Sequence, residues 1–141
     1  MLLSSPVKEK NLTRFAGDFC LNVKKVIRVG KLFSFYGSLL TDKQQEFVEL
    51  YYYHDLSLGE IAEEKEISRQ AVFDNLKRSE EALENYEDEL GMTEYYFAMQ
   101  EKMEQLSDKI EEVSANLSAD ETAELKKMLA ELKAHHEGEL E

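Results

Sequence analysis

Apolar and polar residues alternate along this chain at helical spacing from about Val23 onward. Val26, Ile27, Leu32, Phe33, Phe35, Tyr36, Leu39 and Leu40 fall close to a 3.6-residue repeat, with Arg28 and Lys31 between them, and predict a first helix. Thr41 ends it and caps the next: Thr41-Asp42-Lys43-Gln44 is a capping box, in which the threonine oxygen takes a free backbone N–H and Gln44 reaches back. The helix that follows buries Phe47, Leu50 and Tyr51 and ends around Tyr53-His54-Asp55. Ser57-Leu58-Gly59-Glu60 is a second capping box, opening a short helix with Leu58, Ile61 and Ala62 inside. After a break at Lys65-Glu66, Ile67 supplies an apolar plug and Ser68 caps a longer helix. Val72, Leu76, Leu83, Tyr86 and Leu90 trace its stripe to Gly91, a residue suited to a helix end.

Beyond Gly91 the repeat becomes a heptad. Tyr96, Met99, Met103, Leu106, Ile110, Val113 and Leu117 keep one seam facing a partner helix. Ser118-Ala119-Asp120-Glu121 is a third capping box, starting a last helix with Leu125, Met128, Leu129 and Leu132 on one side. Two readings stay open: an antiparallel hairpin, or a homodimer through the 96–117 seam. The pattern predicts an all-α fold with a weakly ordered basic arm over 1–23, a helix-turn-helix domain over 24–91, and an acidic helical hairpin or coiled-coil extension over 92–141.

Charge sharpens this division. The chain has 141 residues and a net charge of −13. Residues 1–40 hold seven basic groups and two acidic ones, whereas residues 41–141 hold 10 basic and 28 acidic. The basic segment can fold back on the acidic body or reach a nucleic acid. Coating a polyanion without selectivity is not expected, because phosphate affinity grows with the number of basic contacts. Cys20 stands alone, so no internal disulfide can form, and no stretch approaches the roughly 20 apolar residues of a membrane span. Met1-Leu2-Leu3 is too short for the apolar core of a secretory signal. A cytoplasmic protein without membrane insertion is expected.

The chemistry-bearing segment runs from Leu58 to Val72. Small Ala62 allows a close helix crossing, Ile67 plugs the turn, and Ser68 caps a second helix that contacts the core early at Val72. A short helix and short turn thrust the second helix out as a ridge able to enter a DNA major groove. Ser68, Arg69, Gln70, Phe73, Asp74, Lys77 and Arg78 form the candidate nucleic-acid edge. Arg69 suits guanine and Gln70 adenine; Lys77 and Arg78 suit phosphate. Against this, Glu80, Glu81, Glu84, Glu87, Asp88 and Glu89 follow on the same helix and would repel phosphate. The motif could equally be a packing unit for protein partners.

Residues 32–90 carry a family resemblance. Leu32-Phe33-Ser34-Phe35-Tyr36, Leu39 to Gln44, Glu49-Leu50-Tyr51-Tyr52, Asp55 to Glu64 and Ile67 to Arg78 resemble the YlxM family of bacteria. The resemblance implies a small all-helical protein whose helix-turn-helix is similar to region 4 of sigma factors. It further implies a regulatory or accessory role in the signal recognition particle pathway, with DNA or the particle's RNA or proteins as partners. No catalytic residue comes with it. Lys65-Glu66 departs from the family's pattern, residues 1–22 precede its usual start, and the tail 92–141 is longer and more acidic.

Other signals yield to simpler readings. Tyr51-Tyr52-Tyr53 could stack on bases, but with Phe47 and Leu50 the run fits a core face better. His135 and His136 are adjacent and project to different sides of a helix, so no metal site is expected there, nor a cofactor site anywhere. The chain lacks a phosphate loop, a nucleophile elbow and a zinc-binding His-Glu helix, which argues against an enzyme.

Overall fold

The computed structural model describes residues 23–138, and the basic arm expected over 1–23 therefore lies almost wholly outside the described residues. Among these the fold is all-α. Six α-helices follow in order: α1 (Val23–Tyr36), α2 (Asp42–Val48), α3 (Leu58–Lys65), α4 (Arg69–Leu90), α5 (Met92–Val113) and α6 (Ala119–Gly138). Two compact units meet in sequence between Gly91 and Met92. In the first, α1, α2 and α3 all pack on α4. Val26, Val29, Leu32, Tyr36, Phe47, Ile61, Val72, Leu76 and Leu83 lie in its core.

The three capping serines and threonine set the helix starts. Thr41 Oγ1 accepts from the Gln44 N–H at 3.2 Å, and Gln44 Oε1 accepts from the Thr41 N–H at 3.1 Å. Ser57 Oγ accepts from the Glu60 N–H at 3.1 Å. At α6 the box closes both ways: Ser118 Oγ takes the Glu121 N–H at 3.1 Å and Glu121 takes the Ser118 N–H at 2.9 Å. The Ser118 backbone N–H, and then its hydroxyl, hold the Glu121 carboxyl below the usual carboxylate range.

Three local departures have physical causes. α1 stops at Tyr36 rather than Leu40, and Gly37–Leu39 form a 3-10 turn. A Cβ on Gly37 would stand only 3.0 Å from the Phe33 ring, so the residue allows a close approach there. The α1 face is also rotated: Val29 is buried, while Ile27 and Leu39 are exposed. After α2 the backbone widens into a π-turn over Glu49–Tyr53, closed by the His54 N–H to Glu49 O at 2.9 Å. In this wide turn the neighbours Tyr51 and Tyr52 are both buried, their rings edge-on at 5.0 Å. The tyrosine run is core, apart from half-buried Tyr53.

In the second unit α5 and α6 form an antiparallel hairpin around Met103, Ile110 and Leu129. Cross-helix ion pairs fix its register, Lys126–Glu111 at 2.6 Å and Lys133–Glu104 at 3.0 Å. His136 is buried and stacks on Tyr96 at 4.1 Å. Its Nε2 lies 3.2 Å from the Tyr96 carbonyl, which only accepts, so that nitrogen carries the proton. The heptad seam is only partly consumed inside the hairpin, since Leu106 is exposed, and so is Leu90 at the end of the α4 stripe.

Candidate nucleic-acid interface

The turn between α3 and α4 determines what α4 presents. Glu66 takes the left-handed conformation (φ 56°, ψ 42°), its N–H bonds Glu63 O at 3.3 Å, and the Ile67 N–H bonds Ala62 O at 3.0 Å. This pair of bonds is a Schellman motif, and it joins Ile67 to Ala62 across the turn. Ala62 is buried and Ile67 packs against the core, so the two residues that make the motif are held together by the turn itself. Lys65 is tied to Glu46 of α2 by an ion pair, which gives the departure at Lys65-Glu66 its own anchoring. Ser68 then caps α4, accepting the Ala71 N–H at 3.1 Å.

The first turns of α4 face solvent. Arg69, Gln70, Ala71, Lys77 and Arg78 are exposed. The Arg69 stem lies over Gly59, 3.9 Å from where a Cβ would stand. Gln70 Nε2 donates to Asp74 Oδ1 at 2.9 Å, so these two side chains form one unit. Phe73 is half-buried against the core and braces the helix more than it faces outward. Two clefts flank the ridge. One, of about 380 Å³, is lined by Leu58, Arg69, Gln70 and Phe73. The other, of about 460 Å³, places Lys43, Gln44 and Thr41 beside Asp74, Asn75 and Arg78. Lys43 and Asn75 were absent from the sequence-based site. Lys43 could not be found by spacing, because α2 reaches α4 only through the tertiary fold.

The acidic stretch that follows is divided by the fold. Glu80 accepts from the Tyr52 hydroxyl and pairs with Lys25 at 3.0 Å. Glu84 is gripped by Arg28 through two bonds, 2.9 and 2.8 Å, and Glu87 is buried and accepts from Tyr36 Oη at 2.6 Å. The Glu84 contact raises the Arg28 pKa, while burial, then Glu80, pushes the Tyr52 hydroxyl far above its ordinary value. Three of the six carboxylates thus turn toward α1 and its neighbours; Glu81, Asp88 and Glu89 stay exposed. The same pairs commit Lys25 and Arg28 to the body of the protein, so part of the fold-back expected for the basic N-terminal region is present within α1.

A trihelical support, a Schellman turn and a capped, outward-facing second helix define a helix-turn-helix protein. The family profile described as "Putative helix-turn-helix protein, YlxM / p13 like" (UPF0122) matches residues 23–129. The chain belongs to this family, which is described by its fold motif and not by a reaction. A UPF0122 protein of Lactococcus lactis subsp. cremoris is 49% identical over 89 residues, covering 63% of this chain and 80% of the relative. One from Listeria innocua is 53% identical over 83 residues (59% and 76%), and one from Exiguobacterium is 46% identical over 107 residues (74% and 100%). No described helix is long and apolar enough to cross a membrane.

Proposed function

We propose that this protein is a non-enzymatic, cytoplasmic regulatory or accessory factor that binds nucleic acid with the leading turns of α4. Arg69 and the Gln70–Asp74 pair read base edges, and Lys77, Arg78 and Lys43 hold phosphates. One observation carries this reading: the basic front of α4 is exposed while Glu80 and Glu87 are turned inward onto Tyr52 and Tyr36, and Glu84 is neutralised at the surface by Arg28. The local repulsion of phosphate is therefore smaller than the sequence suggests. The family resemblance adds the signal recognition particle pathway as the setting, so the particle's RNA is a natural probe beside random duplex DNA.

Fluorescence anisotropy at two salt concentrations tests the reading. Each phosphate contact contributes a slope of roughly −0.9 in log K against log salt on duplex DNA. Binding should weaken steeply with salt, and an Arg69→Ala, Lys77→Ala double change should abolish it. Salt-insensitive binding, or binding undisturbed by the double change, would instead assign the motif to protein contacts.

A further inference from the structure

One face of the α5–α6 hairpin is apolar and uncovered. On α5, Met99, Leu106 and Val113 recur at seven-residue intervals with Tyr95 one turn before; on α6, Leu125, Met128 and Leu132 follow at helical spacing. Tyr95, Leu106, Met128 and Leu132 are 59%, 48%, 60% and 48% exposed. Both stripes are rotated in the same sense from the buried Met103–Ile110 and Leu129 positions. In an antiparallel pair, equal rotation brings two stripes to the same face of the hairpin. The ion pairs Lys126–Glu111 and Lys133–Glu104 span the opposite face, and their register sets Leu106 level with Leu132 and Val113 level with Leu125.

The borders of this face differ in sign. Lys102 and Lys109 flank the stripe on α5, Lys109 also pairing with Glu112 at 3.1 Å, whereas Glu121, Glu124 and Glu131 flank it on α6. A two-fold axis parallel to the helices lays α5 of one copy over α6 of the other. Each lysine border then runs along a glutamate border, with Lys109 nearest Glu131 of the second copy. The alternative two-fold, which stacks α5 on α5, would oppose lysine to lysine. We infer that the occupant of this face is a second copy of this chain, giving an isologous four-helix bundle. The seam facing inward within each hairpin and the lateral face between hairpins are then distinct surfaces.

Sedimentation equilibrium of the full chain, over roughly 1 to 100 μM, reads the outcome. A dimer of the 16.4 kDa chain is expected. Leu106→Glu and Leu132→Glu each place a charge in the buried centre of the face and should weaken association about 30-fold or more, with circular dichroism unchanged because both sites are exposed in one copy. Lys109→Glu alone should weaken the dimer, and adding Glu131→Lys should restore it. The exchange reads the interface even if a leucine variant loses helix. A chain that stays monomeric throughout the range, a dimer indifferent to Leu132→Glu, or a charge exchange without recovery would overturn the inference.

Discussion

Glu80 and Glu81 are sequence neighbours with opposite expected behaviour. Glu80 faces inward: its side chain is 14% exposed, it accepts from the Tyr52 hydroxyl, and it pairs with Lys25. A hydrogen bond to a charged group is worth about 1.5–3 kcal/mol, and a partly exposed ion pair adds ~0–1 kcal/mol. Glu80→Ala leaves the buried Tyr52 hydroxyl without this acceptor and should cost about 2–4 kcal/mol. Glu80→Gln keeps an oxygen for Tyr52 and should cost about 1–2 kcal/mol. Glu81 lies one turn beyond Lys77 on the exposed side, so Glu81→Gln should change stability by less than about 0.5 kcal/mol. Its removal should, however, tighten nucleic-acid binding roughly twofold by relieving repulsion within a Debye length. Urea unfolding followed by far-UV circular dichroism gives the first pair of numbers, and anisotropy gives the second. The reasoning fails if Glu80→Gln leaves stability unchanged while improving affinity, because Glu80 would then face the ligand.

Three further outcomes follow from the same geometry. Glu66 holds a left-handed conformation that suits glycine, so Glu66→Gly should raise stability by about 0.5–1 kcal/mol, visible as a higher Tm; a lower Tm would contradict the Schellman assignment. Ala62→Leu adds volume at a close crossing and should cost about 1–3 kcal/mol by urea unfolding, whereas an unaltered midpoint would show that the crossing has room. The raised Tyr52 pKa makes its contribution present below the ordinary tyrosine value of about 10 and lost as pH rises beyond it. Alkaline titration should therefore destabilise the protein, and Tyr52→Phe should reduce that dependence; equal slopes in the two proteins would refute the link.

Local chemistry made much of this architecture legible. The boxes at Thr41 and Ser118 close, and Ser57 and Ser68 cap as expected, because each capping bond spans only three residues. The placement of Ala62 and Ile67 also followed from sequence, since a short turn leaves few ways to join two packed helices. Glu66 as the left-handed residue did not, because a glutamate has no local preference for that conformation. The π-turn was hidden because helical spacing places Tyr51 and Tyr52 on different faces. Ion pairs across 56 positions, such as Arg28 with Glu84, leave no periodic trace, so from sequence the acidic half of α4 is a flank that repels phosphate, whereas half of its carboxylates are partnered within the fold. Lys43 joins the candidate site for the same long-range reason. Leu106 fitted the heptad but faces outward, since only part of a seven-residue repeat is needed to pack one partner helix.

The central claim is that the leading turns of α4 form the edge that meets nucleic acid. Backbone amide chemical-shift mapping during titration with duplex DNA, and with the particle's RNA, addresses it residue by residue. Perturbations should concentrate at residues 68–78 and Lys43, with the hairpin from Met92 to Gly138 quiet. Shifts confined to that hairpin, or none in either titration, would contradict it.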